Sequence, residues 1–170
     1  GGEIDRLGGS GGEDGVGGLD GIVGGGSLLV HGDELLADDV DVALAVIGGN
    51  GSARTASLLS DEGLPVISIP KTINNDLCPD TDYTFGFQSA VSVVSESIDR
   101  IRTTANAHQR MMVVEVMGDQ SGWIALHSAI SSAADVVLIP EIPFDLQNVV
   151  DCVKARKAKG QREIIVVVAE

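Results

Sequence analysis

Six residues carry most of the chemistry legible in this chain: Lys71-Thr72-Ile73-Asn74-Asn75-Asp76. They follow Pro70 and the apolar run Pro65 to Ile69, which reads as a buried strand. Together they hold a cation, a hydroxyl, two amides and one carboxylate. Phosphoryl transfer asks for such a set: donors for phosphate oxygens, a metal-facing carboxylate and a group that deprotonates the attacking hydroxyl. Amides stand where carboxylates would do the last two jobs. The competing reading is a structural loop of Asx-turns, because Asn and Asp favour turns.

A second candidate is the turn Gly48-Gly49-Asn50-Gly51-Ser52, between an apolar run and a helical stretch. Its glycines let backbone approach a phosphate, and the helix behind it offers free N–H groups and a partial positive charge. Such turns are also common for geometry alone. A third is Glu115-Val116-Met117-Gly118-Asp119, where Gly118 allows a tight exit and Met117 reads as core filler. Asp119 is ill suited to a place beside a phosphate.

All three follow segments that read as strands. Val42 to Ile47 is a continuous apolar run, and short apolar runs follow at Val66 to Ile69, Met111 to Met117, Val136 to Ile139 and Ile164 to Ala169. Such runs predict strands covered on both faces, as in a parallel sheet. Between them lie helical stretches: Ser52 to Asp61, Phe87 to Thr104, Trp123 to Ser132 and Leu146 to Ala158. In the second, Val91, Val94, Ile98 and Ile101 recur at steps of three and four. Asp145 predicts an N-cap and Gly160 a terminator. The class is α/β with right-handed crossovers, and ligands are expected at the carboxyl ends of the strands.

Other residues carry less. His108 reads as a solvated loop histidine, His127 as structural and Trp123 as core; His31 lies in a divergent stretch. Lys154, Arg156, Lys157 and Lys159 gather where cations suit a helix C-terminus. Cys78 and Cys152 suggest neither a metal site nor a disulfide framework, so a reducing cytoplasm is expected.

Composition bounds the rest. Net charge is −14 and no basic stripe interrupts it, which argues against a nucleic-acid partner. Four lysines against 25 acids fit either a solvated surface or salt adaptation. No apolar run approaches the ~18 residues of a membrane span, and no signal peptide is expected. The first 26 residues hold 13 of the 22 glycines, and Gly1 to Asp41 carries ten acids with Arg6 as its base. That composition predicts a poorly ordered or divergent segment over residues 1–40, and a fusion linker is an alternative origin.

In order and spacing these blocks resemble the 6-phosphofructokinase family from about Asp41 to Glu170. The resemblance is carried by Ile47 to Ser52, Pro70 to Asp76, Thr81 to Phe87, His108-Gln109-Arg110, Val114 to Gly118 and Ile139-Pro140-Glu141. It implies a parallel-sheet, Rossmann-like fold with parts of two αβ domains. Residues 41–86 would be a remnant of the donor domain and 87–170 part of the sugar-phosphate domain. It implies transfer of a phosphoryl group from magnesium-bound ATP to fructose 6-phosphate, with diphosphate as the alternative donor, in a cytoplasmic homo-oligomer.

The resemblance assigns Gly49, Asn50, Gly51 and Ser52 to donor and metal, with Asn50 where the family has a metal-side aspartate. Thr72 and Asp76 match catalytic positions, Ile73 lies among the substrate contacts, and Asn74 stands at the base position. Arg110 matches an arginine that reaches a neighbouring subunit's sugar phosphate. Met117, Gly118 and Glu170 match sugar contacts, with Asp119 where an arginine is expected. Arg102 falls at an effector-site position of some bacterial members. Gly51 resembles ATP-users, whereas Lys71 resembles diphosphate-users and a mixed ATP-using group.

Three departures share one direction. A neutral amide at Asn74 cannot accept the hydroxyl proton, and loss of a general base costs on the order of 10²–10⁴ in rate. Asn50 coordinates a cation more weakly than a carboxylate. Asp119 reverses a charge; at ~6 Å and an effective dielectric of about 20, each unit pair is worth roughly 3 kcal/mol. The family's first phosphate loop has no match, with only a slight similarity at Gly25-Gly26-Ser27. The sequence also stops before the later arginines and histidine of the sugar site. The expectation is a piece of a 6-phosphofructokinase that is inactive by itself. A catalytically dead binding or regulatory subunit and a degenerate product without a stable fold are the alternatives.

Overall fold

The computed structural model describes residues 27–29, 43–77 and 81–170. The readings placed on Gly1 to Gly26, His31 and Cys78 lie outside them. The chain forms two compact units, Gly1–Lys71 and Thr72–Glu170.

In the first unit, β2 (Leu44–Gly48) lies parallel to β3 (Val66–Thr72), in a register that sets Leu44 against Val66 and Gly48 against Pro70. A short β1 (Ser27–Leu29) pairs antiparallel on the other side of β2. Sequence pattern gave no sign of β1, because three residues are too few for a period to show. Helix α1 (Asn50–Asp61) starts two residues earlier than predicted. Strand β3 runs three residues past Ile69, so Pro70, Lys71 and Thr72 lie on the strand rather than beyond it. Proline keeps an extended φ and forfeits only its donor.

The second unit is a three-stranded parallel sheet in the order β5-β7-β6, with β5 Met111–Val116, β6 Val136–Leu138 and β7 Ile164–Ala169. A two-residue β4 (Phe85–Gly86) leads into α2 (Phe87–His108). Helix α3 (Trp123–Ser131) follows β5, and α4 (Leu146–Ala158) precedes β7. Helix α2 packs on β5 and β7, and α3 on β6 and β7. Their shared core is Phe87, Ile98, Ala105, Ile124, Ala125 and Ala129 against Val116, Ile165 and Val167. A fully buried isoleucine there contributes roughly 2–3 kcal/mol.

The expectation that every strand is covered on both faces fails outside β7. Central β7 is buried from Ile164 to Val167. Edge strand β5 alternates, leaving Met111 and Val113 exposed, and β3 exposes Ile67. Strand β7 is sealed because it has a strand on each side and both α2 and α3 packed on it.

Helix α2 continues one turn beyond Thr104 because Ala105 extends its buried stripe. It ends in a left-handed Gln109 (φ 54°), with Arg110 N donating to Ala105 O at 2.9 Å. His108 is therefore the last helical residue, not a loop histidine, and is exposed, with Nδ1 3.1 Å from Thr104 O. Asp145 caps α4 by accepting from Gln147 N at 2.9 Å, and Gly160 (φ 86°) ends it. Arg156 does more than face a dipole: its Nη1 donates to Asp135 at 2.8 Å. Arg102 donates to the carbonyls of Ser132 and Ala133, which tethers α2 to the end of α3. Trp123 is 39% exposed and packs on His127 at 5.9 Å, so it edges the core rather than filling it. His127 lies edge-on to Tyr83 and Phe87, which fits a structural role. Among the described residues, no helix is long and apolar enough to cross a membrane.

Candidate functional site

The candidates divide between the units. Gly49, Asn50, Gly51 and Ser52 belong to the first; Thr72 through Glu170 belong to the second.

Gly49 is the N-cap of α1 (φ −90°, ψ −155°) and supplies no side-chain cap, and no acidic residue stands in the first turn. That leaves the helix's positive end suited to an anion. Asn50 is the first helical residue and is exposed. Gly51 has no heavy atom within 4 Å of where a Cβ would stand, and its φ is ordinary. Neither space nor backbone requires a glycine there, although glycine costs a helix about 1 kcal/mol relative to alanine. Among the described residues no cluster of His, Cys, Asp or Glu could hold a metal ion. Magnesium is ordinarily held by one or two carboxylates plus substrate phosphates. With an amide at Asn50, residues 48–52 offer no carboxylate of that kind.

In the second unit a hydrogen-bonded loop forms around Asn74. Thr72 Oγ1 accepts from Asn74 N at 3.3 Å, which leaves the threonine's own proton for another acceptor. Thr72 O accepts from Thr84 Oγ1 at 2.7 Å. Asn75 is left-handed (φ 55°) and 3% exposed. Its Oδ1 accepts from Thr84 N at 2.8 Å and its Nδ2 donates to Asp82 O. Ile73 packs against the core and anchors the loop. Asn74 Oδ1 is buried and has no hydrogen-bond partner. Asp76, two residues on, is part-buried.

The turn after β5 lies against this loop. Ser121 Oγ reaches both Asn74 O and Gly118 O at 3.0 Å. Ser121 N donates to Gly118 O at 2.9 Å, closing a four-residue turn in which Asp119 takes φ 55°. A Cβ on Gly118 would stand 2.2 Å from Ser121 O, so this glycine is required. Met117 is exposed. Glu170 N donates to Val116 O at 2.9 Å, which sets Glu170 one step past the Val116–Ala169 pair, alongside Met117. Glu141 Oε1 accepts from Gly122 N at 2.7 Å at the start of α3.

Thr72, Asn74, Met117, Gly118, Asp119 and Glu170 thus gather at the carboxyl edge of the sheet. Arg110 does not join them. It precedes β5, at the amino edge, about six residues or roughly 20 Å from the turn. None of residues 72–77, 117–122, 139–141 or 170 is a lysine or arginine, while Asp76, Asp119, Glu141 and Glu170 are acidic. The edge is anionic. Sequence reasoning passed over Ser121, Thr84 and the structural work of Asn75. A serine three residues after Gly118 was the one local signal, since it can close a turn.

The family model described as Phosphofructokinase matches residues 33–170. The chain is 53% identical over 127 residues to the ATP-dependent 6-phosphofructokinase of Spirochaeta thermophila, covering 75% of this chain and 34% of that protein. It is 51% identical over 133 residues to the pyrophosphate–fructose 6-phosphate 1-phosphotransferase of Amycolatopsis methanolica, covering 78% and 39%. Its fold is similar to phosphofructokinase from Saccharomyces cerevisiae, with TM-score 0.67 and 35% identity over 75% of this chain and 20% of that one. The chain spans little more than a third of the length of the curated relatives it matches.

Proposed function

The chain belongs to the phosphofructokinase family, and from that premise we propose that it carries parts of the donor and sugar-phosphate halves of an ATP-dependent 6-phosphofructokinase without completing a turnover by itself. The donor half spans residues 41–86 and the sugar-phosphate half 87–170. The reaction of the complete enzyme moves the terminal phosphoryl group of ATP to fructose 6-phosphate, giving fructose 1,6-bisphosphate. One observation carries the reading of this chain: Asn74 Oδ1 is buried and unpartnered on a loop whose main chain is hydrogen-bonded to the Gly118 turn.

In this reading Gly49, Gly51 and Ser52 receive donor phosphates at the start of α1. Thr72 offers its hydroxyl proton to the transferring group, and Asp76 supplies the remaining carboxylate. Met117, Gly118 and Glu170 contact the sugar, with Ile73 contributing through its main chain. Asn74 holds the base position with an amide, which has no lone pair basic enough to take the hydroxyl proton. Asp119 adds repulsion where a sugar phosphate would sit. Arg110, at the far edge, serves a second subunit, so the working form is a homo-oligomer in a reducing cytoplasm.

ATP is favoured as donor because Gly51 is glycine without a structural need for it, which leaves room for a nucleotide. A diphosphate donor is the second reading, favoured by the similarity to the Amycolatopsis methanolica transferase.

Titration calorimetry with fructose 6-phosphate and then Mg-ATP tests the proposal, with a coupled turnover assay beside it. Saturable binding of either ligand without turnover is expected. Turnover above background by the pure chain would sink the claim of inactivity. A folded chain that binds neither ligand would remove the site. Turnover by the variant carrying Asn50→Asp, Asn74→Asp and Asp119→Arg together would make substitution, rather than length, the deeper defect.

A further inference from the structure

Ser121 is 8% exposed, and its hydroxyl lies 3.0 Å from both Asn74 O and Gly118 O. A hydroxyl has one proton to donate. Gly118 O already accepts from Ser121 N at 2.9 Å, so a hydroxyl proton given to Asn74 O provides each carbonyl with a donor. Asn74 is then held from both sides of its Cα: its N–H by Thr72 Oγ1 and its carbonyl by Ser121. The next residue, Asn75, is locked at φ 55° by its bond from Thr84 N. The Gly118 turn has no slack either, since even a methyl group there would meet Ser121 O.

We infer that Ser121 is the positioning residue of this site. Its hydroxyl fixes the loop bearing the base position to the turn bearing the sugar contacts, across 47 residues of sequence. The inference rests on the proposed reading of Asn74 and Gly118 as parts of one sugar-phosphate site. Ser121 touches no reacting atom; it acts through the main chain of Asn74.

The test is amide hydrogen exchange on the full chain, comparing Ser121→Ala and Ser121→Thr with the parent, followed by fructose 6-phosphate titration. In Ser121→Ala the amides of residues 73–76 should exchange on the order of tenfold faster, the equivalent of one lost hydrogen bond. The amides of β7 should keep their protection, and sugar-phosphate affinity should fall. Ser121→Thr retains the hydroxyl and should restore both. Unchanged exchange at 73–76 in the alanine variant would overturn the inference. So would an equal rise in β7, which marks general loosening, or a threonine variant that behaves as alanine with its sheet intact. If the parent binds no sugar phosphate while the exchange contrast holds, the tether stands and the reading of the site falls.

Discussion

Placing a carboxylate at position 74 should make the protein less stable, and the structure sets the size of the loss. Asn74 Oδ1 is buried without a hydrogen-bond partner, and the main chain around it is held by Thr72 and Ser121. Asn74→Asp keeps the shape but places a charge in a desolvated spot two residues from Asp76. Burial and a like charge both disfavour ionisation, so the new group's folded pKa lies above the ordinary aspartate value. A rise of about two pH units corresponds to ~2.7 kcal/mol. Because the folded pKa is the higher one, nothing is lost while the group is protonated in both states. The penalty develops as pH climbs from about 4 through the folded value and is complete above it. Parent and variant should therefore have similar stability near pH 3.5 and differ by roughly 2–3 kcal/mol at pH 7.5. For a unit of about 100 residues that is a Tm lower by roughly 10–20 °C. Urea unfolding at the two pH values reads it. A parent–variant difference that does not change with pH would refute the reasoning, because the side chain would then be solvated or already met by a donor.

Other outcomes follow from the same contacts. Gly118→Ala should lose about 2–3 kcal/mol, because backbone must move to relieve a 2.2 Å contact; an unchanged Tm would contradict it. Gly51→Ala should gain about 0.5–1 kcal/mol of helix stability while weakening Mg-ATP binding, and calorimetry showing unaltered nucleotide affinity would detach this glycine from donor binding. Asp135 accepts from Arg156, Gln161 and the amide of Ile165 at 2.8, 2.7 and 2.8 Å, with its side chain 6% exposed. Asp135→Ala should cost about 2–3 kcal/mol in denaturant unfolding, less than a fully buried pair because Arg156 is partly solvated; a loss under ~0.5 kcal/mol would show that this cluster holds nothing.

Long periodic segments were legible from the residues. Leu146–Ala158 and Ile164–Ala169 form as their patterns predict, and Asp145 and Gly160 end their helix as their types require. Strand exits were less legible. Pro70 continues β3 because pairing with β2 reaches Gly48 and Pro70, and a pairing register is invisible in one strand's own sequence. The turn Gly49–Ser52 could be recognised because the glycines and the helix start are adjacent. Ser121 and Thr84 could not, because their partners are 47 and 12 residues away.

The amino-acid sequence by itself determined the chemical identities: amides at Asn50 and Asn74, a carboxylate at Asp119, and no lysine or arginine among residues 72–77, 117–122, 139–141 and 170. What those groups can donate, accept or ionise follows from their types, whatever the fold. Only the tertiary structure decided which strand is central, that Arg102 serves the end of α3, and that Asn74 Oδ1 is sealed without a partner. The reason is the range of the forces recorded in each. Periodicity registers which face of one element is buried. Desolvation and hydrogen-bond pairing depend on which distant segment packs against it.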